Sequence, residues 1–107
     1  MDEAISLLTE DATWWVIGDP QRLKVAGQKT SEQTVRMLKN MHKALPQGMA
    51  YQIIGITAEH DRVAVEVEAE GAWKDGRPYR NTYHFLFCVR DNKVATIREY
   101  MDTMQIP

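Results

Sequence analysis

Cysteine is nearly missing from this chain: Cys88 stands alone, so no disulfide can form within it. A lone thiol suits a reducing compartment, and the expectation is a cytoplasmic protein. Long apolar runs are missing too; none approaches the roughly 20 residues that span a bilayer. The opening Met1-Asp2-Glu3-Ala4-Ile5-Ser6 has no positive region and no apolar stretch, which argues against a secretory signal. Nor is there an excess of positive charge. Thirteen basic residues are scattered among 15 acidic ones for a net charge of −2, so neither nucleic acid nor an anionic membrane is implied as a partner. Glycines are few, and Gly18, Gly27 and Gly55 are isolated, which excludes a glycine-rich phosphate loop. The three histidines, His42, His60 and His84, have no ligand spacing, so no metal and no cofactor are expected.

What is there is ordinary globular composition, 44% hydrophobic and 26% charged over 107 residues, and it predicts a single domain spanning 1–107. Asp2 caps an expected short helix running to about Thr9. Asp11 to Ile17 is aromatic and β-branched, ends at Gly18-Asp19-Pro20, and reads as a strand and turn. A helix is expected from Thr30, where Gln33 completes a capping-box pattern. Val35, Leu38, Met41 (or His42) and Leu45 give it helical spacing, and Pro46-Gln47-Gly48 ends it. The period then falls to 2. Residues 49–58, 62–73, 79–90 and 93–102 read as four long strands, with Asp75-Gly76 a strong hairpin signal. Helices first and a meander after them predict an α+β fold with helices on one face of an antiparallel sheet.

Alternation divides each strand into two faces. In the second long strand Val63, Val65, Val67 and Ala69 oppose Ala64, Glu66, Glu68 and Glu70. In the third, Asn81, Tyr83, Phe85 and Phe87 oppose Thr82, His84, Leu86 and Cys88, and both faces carry apolar groups. One face should therefore meet the helices and the other a second subunit. Pattern alone leaves open which is which.

The segments Glu10-Asp11-Ala12-Thr13-Trp14-Trp15, Asp75-Gly76-Arg77-Pro78-Tyr79, Tyr83-His84-Phe85-Leu86-Phe87 and Ile97-Arg98-Glu99-Tyr100-Met101-Asp102 resemble the SnoaL-like branch of the NTF2-like superfamily. That branch includes ketosteroid isomerases, limonene-epoxide hydrolases and SnoaL-type polyketide cyclases. The resemblance covers nearly the whole chain from about Ile5. It implies a cone-shaped, curved sheet covered by N-terminal helices, the first of them absent or shortened here, around a deep cavity. It also implies a homodimer through the outer sheet face. If Glu99 matches the inward carboxylate of the epoxide hydrolases, then Ile97 and Met101 point inward with it. Counting back without gaps adds Glu66, Glu68, Asn81, Tyr83, Phe85, Trp14 and Val16. Trp15, Val65, Val67, His84, Leu86, Arg98 and Tyr100 would form the dimer face.

The known active sites do not carry over whole. The epoxide hydrolases' arginine has no counterpart, because Glu66, Glu68 and Glu99 occupy their triad positions. The isomerases' base falls on Val16, and their second oxyanion donor on Tyr83. What remains is a small-molecule pocket with acid–base chemistry of the isomerase, lyase or hydration type, on a hydrophobic substrate carrying a polar group. An inward Glu99, its pKa raised by burial, is the expected proton carrier, with Glu66 or Glu68 as partner. Tyr83 and Asn81 would orient the substrate, while Trp14, Val16, Phe85, Ile97 and Met101 shape the pocket. A cavity holding all three glutamates would be partly wet or take a polar or cationic ligand. The alternative is a non-catalytic ligand-binding or dimerisation module of the same fold.

Overall fold

The computed structural model describes residues 5–106. Ile5-Ser6 lie in a helical turn; the cap expected at Asp2 lies outside the described residues, and Thr9 belongs to the first strand instead. That strand, β1 (Leu8–Val16), starts three residues earlier than its aromatic run suggests. The chain turns at Gly18, whose φ of +122° favours glycine; a Cβ there would sit 3.3 Å from both Leu23 and Ala26. Asp19 holds the turn, its carbonyl accepting from the N–H groups of Arg22 and Leu23 at 2.9 Å each. The chain then returns along β1 as the short β2 (Gly27–Lys29). Three residues carry no periodicity, and the sequence gives no sign of this strand.

Helix α1 (Ser31–Ala44) begins where its capping box places it. Gln33 donates its N–H to Thr30 Oγ1 at 3.1 Å, and Thr30 donates its N–H to Gln33 Oε1 at 2.9 Å. Thr34 and Met37 in the helix, and Leu45 just past its end, are buried against the sheet; Val35 and Leu38 are half-buried. After it come β3 (Met49–Glu59), β4 (Arg62–Ala72), β5 (Pro78–Arg90), β6 (Lys93–Met101) and a 3₁₀ turn at Thr103–Gln105.

The six strands form one sheet in the order β2-β1-β6-β5-β4-β3. The expected meander is present, but the sheet is mixed, because β1 joins β6 in parallel. Strands this far apart in sequence have no short connection to force an antiparallel pairing. The core lies where Leu45 meets Val65, Val67, Ala69, Tyr79 and Tyr83 on the inner face of β4 and β5. Toward β3 that face is uncovered, and Tyr51, Ile53 and Ile56 stay mostly exposed.

Register decides what points inward. Val65 lies opposite Phe85, Val67 opposite Tyr83 and Ala69 opposite Asn81, while Phe85 lies opposite Glu99 and Val16 beside it. Partners in a sheet share a face. Trp14, Val16, Asn81, Tyr83, Phe85, Ile97, Glu99 and Met101 thus occupy the inner face together.

Glu66 and Glu68 do not, which corrects the expectation for β4. They lie opposite His84 and Thr82 on the exposed outer face. Val65 and Val67, expected on a dimer face, are buried in the core. The connection between β4 and β5 explains the change of phase. Trp73 and Arg77 close a three-residue loop, Trp73 N–H donating to Arg77 O at 2.9 Å and Gly76 N–H to Trp73 O at 2.8 Å, with Gly76 at φ +90°. A two-residue turn at Asp75-Gly76 would have set the glutamates opposite Phe85 and Tyr83. One additional loop residue turns every side chain of β4 over.

Candidate functional site

A cavity of about 530 Å³ opens between α1, the 18–29 segment and the inner face of the sheet. Its apolar wall is made by Val16, Met37, Met41, Leu45, Trp73 and Met101. Polar groups enter from three sides: Lys29 on β2, Tyr79 and Tyr83 on β5, and Glu99 on β6.

Glu99 is 8% exposed, and Trp14 Nε1 donates to its Oε1 at 3.2 Å. Burial pushes its pKa up from the usual 4.5 to about 7; the indole donor and the Lys29 charge pull the other way and do not offset it. A carboxyl poised there is half-charged at neutral pH, which suits proton transfer in either direction.

The phenols of Tyr79 and Tyr83 are buried and joined at 2.5 Å, and Asn81 Nδ2 donates to Tyr79 Oη at 2.9 Å. Only one of the two hydroxyl hydrogens is used in the mutual bond, so the pair retains one O–H to donate. Burial pushes the Tyr83 phenol well above its ordinary range, and Glu99 reinforces the shift, so the pair is neutral and acts as a donor. Tyr79 is likewise raised, chiefly by burial.

Asn81 is not free to orient a ligand. Its Nδ2 also donates to Asp102 O at 3.1 Å, and its Oδ1 accepts from Thr82 N at 2.9 Å and Asp102 N at 3.0 Å. It ties the 3₁₀ turn to the sheet and holds Tyr79. Trp14, Phe85 and Ile97 share the inner face without bordering the cavity: Trp14 meets Glu99 and stands edge-on to Phe85 at 6.5 Å, and Phe85 stacks on Tyr83 at 5.2 Å. Val16 and Met101 do border it.

Sequence reasoning missed Tyr79, Lys29 and the methionines of α1. Tyr79 was visible as the next position in phase with Asn81 and Tyr83. Lys29 had no signal, because only the return of β2 beside Trp14 brings it inward.

Among the described residues no three or more His, Cys, Asp or Glu side chains gather as a metal site, and no helix is long and apolar enough to cross a membrane.

A family model for a SnoaL-like domain matches residues 1–97. No curated protein matches the chain. Among solved structures, an NTF2-like protein from Anabaena variabilis is similar at 25% identity with a TM-score of 0.80, over 92% of this chain and 71% of that one. A protein from Jannaschia sp., provisionally called a SnoaL-like polyketide cyclase, aligns at 17% identity with a TM-score of 0.78, over 96% of this chain and 72% of that one. A protein from Rhodopseudomonas palustris, provisionally called an isomerase, aligns at 11% identity with a TM-score of 0.82, over 95% of this chain and 76% of that one.

Proposed function

The chain belongs to the SnoaL-like domain family, and from that premise we propose that its cavity performs acid–base catalysis on a small, largely apolar molecule bearing a polar group. Glu99 moves the proton, and the Tyr79–Tyr83 pair donates to oxygen as negative charge grows on it. An isomerase, lyase or hydration reaction has this form: one group shuttles a proton at carbon while a donor holds the adjacent oxygen. The observation that carries the reading is a single buried carboxyl, with a pKa of about 7, sharing a cavity with a neutral phenol pair. Glu66 and Glu68 have no part in it, being exposed on the other face.

The test is a ¹³C titration of the glutamate carboxyls, with proton exchange at the α-carbon of a panel of aryl ketones in D₂O as the activity readout. One carboxyl should titrate near pH 7 and vanish in Glu99→Gln, and exchange should fall at least about 100-fold in that variant. If every glutamate titrates below about pH 5, the catalytic reading fails and a plain binding module takes its place.

We further propose that two copies pair through the outer sheet face. Trp15 packs there against Tyr100, ring centroids 5.3 Å apart and planes tilted by 60°, with the Arg98 guanidinium 4.0 Å from the Trp15 ring and His84 and Leu86 alongside.

A further inference from the structure

The phase of β4 also sets the charge of the cavity. With Glu66 and Glu68 outside, Glu99 is the only acidic side chain among the described residues that border it, and that one is half-neutral at pH 7. Three cationic side chains border it as well: Lys24, Lys29 and Arg36. A cavity with three inward glutamates would select a cation; this one carries a positive excess inside a chain of net charge −2. The sign is therefore a local property and does not follow from the field of the whole protein.

Lys29 lies deepest of the three. Its ammonium donates to the carbonyls of Val25 and, at 3.3 Å, Gly27, which leaves its third N–H for another acceptor. It is half-buried, and among the described residues no ion pair joins it to Glu99. Burial lowers its pKa while the Glu99 charge raises it, and a bound anion would act in the same sense as Glu99. Among the described residues Arg36 pairs with the exposed Glu32 at 3.7 Å, a pair that solvent screens. The apolar wall and a volume of about 530 Å³ are far more than a small inorganic anion fills, and fall within the ~300–1,000 Å³ typical of organic-ligand sites.

We propose that the ligand of this cavity is an organic acid: an apolar, ring-sized body lies against Met37, Met41, Leu45 and Trp73, with its anionic group on Lys29. Lys24 and Arg36 draw it in at the mouth. This rests on the cavity being the functional site and names the class of molecule it takes.

The test compares 1-naphthylacetate with its neutral isostere 1-naphthylacetamide, titrated into the intact protein by NMR at pH 6, where Glu99 is mostly uncharged. The acid should bind at least about 10-fold more tightly than the amide, the scale of one charge-assisted hydrogen bond. Both should shift the Trp73 indole and the Met37 and Met41 methyls. Lys29→Gln should bring the ratio of the two affinities to within about two-fold. As that variant also removes two bonds to the 25–27 backbone, Lys24→Gln/Arg36→Gln serves as a second, exposed substitution. It should weaken only the acid, by about three-fold, and flatten its salt dependence. Equal or tighter binding of the amide, or a ratio untouched by both variants, overturns the proposal. Neither affinity depends on turnover, so a Glu99 silent near neutral pH with the ratio intact removes the catalytic reading alone. A ratio near one with Glu99 titrating as expected removes the organic-acid reading alone.

Discussion

Glu99 ties the proposed chemistry to stability in one side chain. Its pKa is raised by folding, so the sign of the linkage is opposite to that of a salt-bridged carboxylate. Below pH 4.5 the group is neutral in both states, and its contribution is fully present. As the pH climbs from 4.5 to about 7 the unfolded chain ionises while the folded one holds its proton, and stability falls. The full loss corresponds to about 3 kcal/mol above pH 7. Asp11 and Asp75 are held low by Arg90 and by the backbone and side chain of Arg77, respectively, and act in the opposite sense below pH 4, outside this window. Urea denaturation at pH 5 and pH 8 should therefore show wild type losing about 2–3 kcal/mol more than Glu99→Gln does. Equal losses in the two proteins would mean that the carboxyl is not desolvated.

At the scale of elements, a side-chain amide does work that a strand or helix usually does. Asn81 joins β5 to the head of the 3₁₀ turn by two hydrogen bonds to the Asp102 backbone, accepts a third from Thr82 N–H within β5, and supports the phenol pair with a fourth. Asn81→Ala leaves the Thr82 and Asp102 N–H groups and the Tyr79 hydroxyl without that partner, and should cost about 2–3 kcal/mol. Hydrogen exchange should quicken at Thr82, Asp102 and the turn that follows, while α1, capped by Thr30 and Gln33, stays protected. The helix was legible to within a residue, because capping box and apolar spacing are both local. The four long strands were legible for the same reason: alternation is written in consecutive residues. β2 was not, since three residues cannot display a period.

At the scale of the whole molecule, the two faces of the sheet differ in what they carry. The inner one holds the cavity. The outer one carries the Trp15–Arg98–Tyr100 cluster among charged neighbours such as Glu66, Glu68 and Arg80. A dimer through it should sediment at twice 12.3 kDa, and Trp15→Asp should give the monomer with the pH dependence of Glu99 intact. A wild-type monomer at about 100 μM would refute the pairing.

The chain's own order of residues determined the helix, the long strands, and the shared face of Ile97, Glu99 and Met101 within β6, because strand alternation and helix capping act over a few residues. Which face of β4 joined them was decided only in the folded molecule, by the loop closed between Trp73 and Arg77 and the cross-strand pairing it imposes. So was the arrival of Lys29 beside Trp14. A side chain's neighbours across a sheet depend on register, and register belongs to pairs of strands rather than to either one alone.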